Sequence, residues 1–325
     1  MANKRRILVI YPFSSSYIQR DMEILKEEFQ VMPFQYKGKK DIFRMLRSIL
    51  KTDVNISWFT LGNATMALHL SGILRKKTIV IAGGWDVVSM PEIGYGAMRG
   101  KRIKKTRYAL KKANKVIAVS ESTKEWVLKW VDRDDVITLY HGFDPQTFLP
   151  KGEKEKMVVT VGKLENEVTI AIKGLDTFLK TAKLLPDVKF VMIGRHDPKL
   201  AKEWRAKAPP NLEILDFIPY DKIRGYYQMA KVYTQLSYQE SFGCALAEAM
   251  LCECVPVVTR RGGIPEVVGD AGFYVKYGDA KATAEKIKEA LNSDIGGDAR
   301  KRIMTLFPLN ERKKRLTKIV YDCMK

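Results

Sequence analysis

Apolar runs and helical rhythms alternate along this chain from its first residues. RILVIYPF is an apolar run too short for a helix and reads as a β-strand, while YIQRDMEILKEEF repeats its apolar residues at helical spacing. VMPFQY, NISWFTL, KTIVIAGG and KVIAVS read as further strands separated by helical stretches. In one of those, DIFRMLRSILK, the stripe expected to face the core is Ile42, Leu46, Ile49 and Leu50. Strand–helix alternation of this kind predicts an α/β protein with a parallel sheet covered on both faces.

The stretch LYHGFDPQTFLPKGEKEKM, residues 139–157, breaks the rhythm with glycine, two prolines and a polar run, and reads as a linker. Alternation then restarts: MVVTVGK strand, GLDTFLKTAKLL helix, VKFVMIGR and LEILDFI strands, DKIRGYYQMA helix, KVYTQLS strand. VPVVTR is a later strand and DAKATAEKIKEALN a later helix. Two α/β domains are expected, 1–148 and 149–308, with a cleft between them. In open sheets ligands sit beyond the carboxyl ends of the strands. The loops to inspect are therefore PFSSSY, GGWDVV, GKLENE, GRHD, DFIPYD, SYQESFG and TRRGGIPE.

Composition narrows the class. The chain has 325 residues, 46% hydrophobic and 29% charged, as expected of a soluble globular protein. No apolar run reaches the roughly 18 residues needed to span a bilayer, and the basic start before RILVIY lacks a signal peptide's apolar length. Cys244, Cys252, Cys254 and Cys323 have no metal-ligand spacing, which predicts free thiols and a cytoplasmic setting. The net charge is +20, and residues 99–115 contain nine basic residues and no acidic one. That concentration predicts an anionic partner: lipid headgroups, nucleic acid or a phosphorylated small molecule.

The most informative stretch is QESFGCALAEAM, residues 239–250. Glu240, Ser241, Phe242 and Gly243 follow a strand and precede a helix, so free N–H groups at the helix start are suited to phosphate. Gly243 lets backbone approach a ligand closely. Glu240 before the helix and Glu248 within it can each accept two hydrogen bonds from a vicinal diol. Diol, phosphate, diol is the layout of a nucleotide sugar; a capped helix with two ordinary glutamates is the alternative on spacing alone.

The wider segment SYQESFGCALAEAMLCECVPVVTRRGGIPEVVGDAGFYV resembles the nucleotide-sugar half of GT-B retaining glycosyltransferases, most closely glycosyltransferase family 4. The likeness rests on Glu240, Phe242, Gly243, Glu248, Ala249, Met250, Pro256, Val257, Gly262, Gly263, Pro265 and Glu266, with VVTVGKL, IKGLDTFLKTAKLL and HGFDPQTFLP upstream. The resemblance implies two Rossmann-like domains around a central cleft, with a helix at 309–325 crossing back to the first domain. It implies that Glu240 binds donor-sugar hydroxyls, Glu248 the ribose, and the Ser241–Cys244 backbone the sugar and diphosphate. Gly162, Lys163 and Lys173 stand where the family neutralises the diphosphate, and the Phe217–Pro219 loop, with Ile218, where it receives the base.

This sequence departs from the family pattern at three points. Lys163 replaces an arginine, keeping charge but losing the bidentate fork. LENEVTIAI lengthens the gap from Lys163 to Lys173, leaving open which lysine reaches the phosphates. No histidine ends the first-domain strand where the family often has one; Asp86 or the Gly83–Gly84 backbone is expected in its place, with His69, His141 and His196 elsewhere. Ser14, Ser15, Ser16, Gly83, Gly84, Trp85 and Asp86 form the expected acceptor side. Tyr17, Trp58 and Trp85 either stack on a sugar or pack.

The function expected from the resemblance is retaining transfer of a hexose from a nucleotide diphosphate sugar to a glycan or lipid-linked acceptor, with no metal and no cofactor. Glu240, Lys163, Lys173 and Asp86 are the expected catalytic residues. KGKKDIFRMLRSILK adds an expectation of peripheral contact with the anionic inner face of a membrane. The competing classes are an idle nucleotide-sugar sensor and a nucleic-acid-binding module, the latter without a recognised motif. A nicotinamide dehydrogenase is disfavoured because no G-x-G-x-x-G follows the first strand.

Overall fold

A computed structural model describes residues 4–325, so the three residues that open the basic start lie outside it. The chain divides into two units, one comprising residues 1–142 with 309–325, the other residues 143–308. The division falls after residue 142 rather than the expected 148, still inside the stretch 139–157, and the last helix belongs to the first unit.

In the first unit the order is β1 (Arg6–Tyr11), α1 (Ser16–Glu28), β2 (Gln30–Gln35), α2 (Ile42–Leu50), β3 (Val54–Trp58) and α3 (Gly62–Ile73). It continues through β4 (Lys77–Ala82), α4 (Lys101–Lys112), β5 (Lys115–Ala118), α5 (Glu121–Leu128) and β6 (Val136–Thr138). In the second unit come β7 (Glu155–Val161), α6 (Glu167–Lys173), α7 (Leu175–Leu184), β8 (Lys189–Ile193), α8 (Pro198–Lys207), β9 (Leu212–Leu215) and α9 (Tyr220–Met229). It ends with β10 (Ala230–Gln235), α10 (Cys244–Leu251), β11 (Val255–Thr259), α11 (Ile264–Val268), β12 (Phe273–Val275), α12 (Ala280–Leu291) and α13 (Gly296–Leu306). The closing α14 (Leu309–Met324) returns to the first unit.

Each unit holds one six-stranded sheet, ordered β2-β1-β3-β4-β5-β6 and β12-β11-β10-β7-β8-β9. All the strand pairs are parallel. Alternate residues of each strand feed opposite faces. In β1, Ile7 and Val9 meet α1 and α14, whereas Leu8 and Ile10 meet α2 and α3. A buried, bidentate Arg312–Asp21 pair fastens α14 to α1, with Arg312 Nε 2.6 Å from Asp21 Oδ1. Leu316, Ile319 and Val320 of α14 pack into the same core.

One expectation needs correcting. The buried stripe of α2 is Met45 and Ile49; Leu50 is 54% exposed, because it lies about 100° around the helix from its neighbour. Most of the segment LENEVTIAI forms α6, which Asn166 caps by accepting from the Thr169 N–H at 2.9 Å. The short strands β6 and β12 and the helices α8, α11 and α13 had no sufficient pattern of their own. None of the four cysteines is in a disulfide, and burial pushes Cys252 up to about 12 and Cys254 up to about 11, so both are protonated thiols.

Candidate functional site

The second sheet's carboxyl edge is built around the loop between β10 and α10. Phe242 is buried against Phe143 and Phe307, at ring separations of 6.0 and 5.2 Å, and anchors the loop from below. Gly243 caps α10 at φ 98°, a conformation that disfavours any residue with a Cβ. The ensuing Gly262–Gly263 pair lies directly behind. A Cβ at Gly262 would stand 2.1 Å from Glu240 O, and one at Gly263 2.3 Å from Ser241 O. The Gly263 N–H donates to Glu240 O at 2.8 Å. The RRGG stretch thus acts as the backing of the Glu240 loop.

The Glu240 carboxylate is partly exposed and paired. Lys173 Nζ lies 2.5 Å from its Oε2, and Gln235 Nε2 donates to the same oxygen at 3.0 Å. Lys173 reaches it because α6 ends there. Gly174 adopts φ +64° and comes so close to β10 that a Cβ would meet Leu236 O at 2.0 Å. Gln235 is oriented in turn by Tyr233, whose hydroxyl donates to Gln235 Oε1 at 3.1 Å. Burial, and then the Glu240 charge, push the Tyr233 hydroxyl well above its usual range, so it stays a donor. Neither Gln235 nor Tyr233 was found by sequence reasoning; the available signal was a polar residue closing a strand just before the Glu240 loop.

Glu248 is nearly buried on α10 and accepts from the Tyr220 hydroxyl at 2.7 Å. Tyr220 opens α9, and its ring meets Phe148 edge-on at 5.7 Å. It too escaped sequence reasoning, although it directly follows the Phe217–Pro219 loop expected to receive a base. In that loop Ile218 is half-buried and Phe217 is 65% exposed, with the Arg195 guanidinium 5.9 Å from its ring centre.

The two lysines separate. Lys173 meets Glu240, whereas Lys163 is exposed and 3.6 Å from Glu165. Gly162 is buried with its N–H donating to Ile193 O at 2.9 Å. His196 locks the adjoining loops: its Nδ1 accepts from the Leu164 N–H at 3.1 Å while Nε2 lies 2.9 Å from Leu215 O. That pair of partners fixes a neutral tautomer protonated on Nε2.

In the first unit Asp86 must be reassigned. It is fully buried, and its carboxylate accepts from the backbone N–H groups of Thr60, Gly83 and Gly84 at 2.8, 3.0 and 2.9 Å. Burial pushes the carboxyl upward, and the bonds from Thr60 and Gly84 pull it back. Asp86 therefore ties the loops after β3 and β4 together and presents no oxygen to a substrate. Those loops are tight: Phe59 adopts φ 67°, and a Cβ on Gly83 would come 2.3 Å from its ring.

The other expected acceptor residues lie at the same carboxyl edge. Ser14 accepts from Gln19 Nε2 at 2.8 Å, Ser15 caps α1 without a side-chain cap bond, and Ser16 opens the helix. Trp85 is half-buried, its carbonyl accepting from the Ala97 N–H at 2.8 Å. Trp58 is buried and packs in parallel with His141 at 6.1 Å, so it is core; Tyr17 is half-buried beside both. Burial, then the Arg312 and Arg20 charges, hold the His141 imidazole well below 6.5. Among the described residues no group of three His, Cys, Asp or Glu could hold a metal ion.

The family described as "Glycosyl transferases group 1" matches residues 146–305, the segment that contains the Glu240 loop, Lys173 and Glu248. Residues 146–305 are therefore similar to the group 1 glycosyl transferases. The chain is 29% identical over 252 residues to alpha-maltose-1-phosphate synthase of Mycolicibacterium smegmatis, covering 70% of this chain and 62% of that protein. It is 25% identical over 244 residues to N-acetyl-alpha-D-glucosaminyl L-malate synthase of Bacillus anthracis, covering 67% and 62%. The chain thus spans 62% of the length of each of these relatives. Its fold matches Anabaena HepE, solved in complex with UDP, with a TM-score of 0.81 over 98% of this chain and 100% of that one, at 16% identity. The two Rossmann-like units of this chain have the GT-B fold.

Proposed function

We propose that the protein is a retaining glycosyltransferase that moves a hexose from a nucleotide diphosphate sugar to an acceptor hydroxyl. The observation that carries this reading is the Lys173–Glu240 pair beside the start of α10, with Glu248 further along the same helix. A carboxylate that holds sugar hydroxyls next to a cation that holds the leaving diphosphate is the minimum a glycosyl phosphate needs. Breaking that bond builds charge on the diphosphate, and Lys173 with the α10 N–H groups would stabilise it without a metal. In the free protein Glu240 is occupied by Lys173 and Gln235, and Glu248 by Tyr220. Donor hydroxyls would take over these carboxylates, leaving Lys173 to turn to phosphate.

Retention without a protein nucleophile fits a front-face displacement. The acceptor hydroxyl enters on the side from which the diphosphate leaves, and a leaving-group oxygen takes its proton. Positioning and electrostatics then supply the acceleration. Ser14–Ser16 and the Gly83–Trp85 backbone are the acceptor-side groups in this reading, with a glycan or lipid-linked glycan as acceptor. HepE's complex with UDP makes uridine diphosphate sugars the first donors to test, followed by GDP- and ADP-sugars.

Thermal-shift screening against that panel identifies the donor, and product formation separates transfer or slow hydrolysis from mere binding. Glu240→Ala and Lys173→Ala are each expected to lower kcat/KM by about a hundredfold to a thousandfold, the usual cost of losing one charge-stabilising group. Near-wild-type turnover by both variants would overturn the assignment.

A further inference from the structure

The helices of the first unit distribute charge unequally over the two faces of its sheet. Helices α2, α3 and α4 lie side by side on one face, packed through Met45, Ile49, Ala67, Leu68 and Leu110. Together they carry nine basic residues and no acidic one, seven of the nine on α4. All nine are exposed. Arg44 is partly used, pairing with Asp41 in the preceding turn at 2.8 Å. On the other face, α1 and α14 carry seven basic and six acidic residues, joined by pairs such as Arg312–Asp21 and Lys26–Glu23. At the far end of the first face, α5 carries Glu121, Lys124 and Glu125, which ends the single-sign stretch.

The basic face also exposes large apolar side chains. Phe43 on α2 is 75% exposed and Ile73 at the end of α3 is 77% exposed, with Leu50 at the end of α2 half-exposed. Solubility calls for interspersed signs and no large apolar points. A face of one sign bearing aromatic and aliphatic points suits a negatively charged surface with an apolar layer beneath it. Nucleic acid would use the charge, but the aliphatic ends of Leu50 and Ile73 find no partner on a phosphate backbone. No helix among the described residues is long and apolar enough to cross a membrane.

We propose that the α2–α3–α4 face docks the protein onto an anionic lipid bilayer, with α4 held by headgroup charge and Phe43, Leu50 and Ile73 entering the headgroup–acyl boundary. The proposal stands apart from sugar transfer: it uses no residue of the donor site and fails or holds without it.

The test is co-flotation of the full chain with phosphatidylcholine vesicles and with mixed phosphatidylcholine–phosphatidylglycerol vesicles, at low and high salt. Binding is expected only to the anionic vesicles and is expected to weaken with salt. Phe43→Ser, Leu50→Ser and Ile73→Ser combined should lower vesicle binding by about tenfold or more while the melting temperature stays near wild type, since all three side chains are exposed. Lys104→Glu with Lys105→Glu should lower it comparably through charge alone. No flotation with anionic vesicles at low salt would overturn the proposal. So would a triple variant that binds like wild type, or a short DNA duplex that competes vesicles away and binds the triple variant unchanged.

Discussion

Two loops at the carboxyl edges of the two sheets hold a carboxylate in the same topological place, after a strand and before a helix, and use it in opposite ways. Glu240 in the second unit is partly exposed, and its partners are side chains, Lys173 and Gln235, which a ligand can displace. Asp86 in the first unit is sealed, and its partners are backbone N–H groups of Thr60, Gly83 and Gly84, which cannot leave without the loops moving. Residue type and position were alike; the partners decided the role. A carboxylate held by displaceable side chains is available for chemistry, and one held by fixed backbone is a clamp.

Stability measurements should break or sharpen that contrast. Asp86→Ala leaves three buried N–H groups without acceptors and is expected to destabilise the first unit by about 3 kcal/mol. Hydrogen exchange should report it in the strands β3 and β4. Glu240→Ala removes a partly exposed ion pair and should change stability by under about 1 kcal/mol. An Asp86→Ala protein as stable as wild type yet inactive would make Asp86 chemical and dissolve the contrast.

His141 supplies a pH-dependent version of the same point. Its imidazole is held neutral in the fold, so below 6.5 the unfolded chain takes up a proton that the folded chain refuses. Stability of the first unit should therefore fall as pH drops below 6.5, by up to about 1.4 kcal/mol per pH unit. His196 shifts in the same direction in the second unit, so the comparison is best read from His141→Asn against wild type, where the slope should shrink. An unchanged slope in urea melts across that range would show that His141 is not the group responsible.

The smallest effect is expected at Tyr220. If Glu248 takes a ribose diol, the phenol is a competitor in the free protein, and Tyr220→Phe should lower the donor KM roughly two- to tenfold with kcat little changed. A raised KM would instead make Tyr220 a direct donor contact.

Much of this site was legible in the chain. The Glu240–Glu248 spacing, Lys173 beside Gly174, and the paired glycines at 262–263 are local constraints, and the family match over residues 146–305 covers the same residues. What the chain hid were residues whose importance depends on distant neighbours. Gln235 and Tyr233 look like ordinary strand residues until β10 places them beneath Glu240. Tyr220 looks like a helix start until α10 brings Glu248 to it. Asp86 looked like a catalytic candidate because burial cannot be counted from a dipeptide.

Periodicity and glycine positions alone determined the alternating α/β order and where backbone had to come close, because both depend on neighbours a few residues apart. They also fixed the basic run of α4. Tertiary structure alone decided which carboxylate is reachable, that Lys173 rather than Lys163 meets Glu240, and that α4's charges share a face with Phe43 and Ile73. Those outcomes depend on burial and on partners far away in the chain, and no local pattern encodes them.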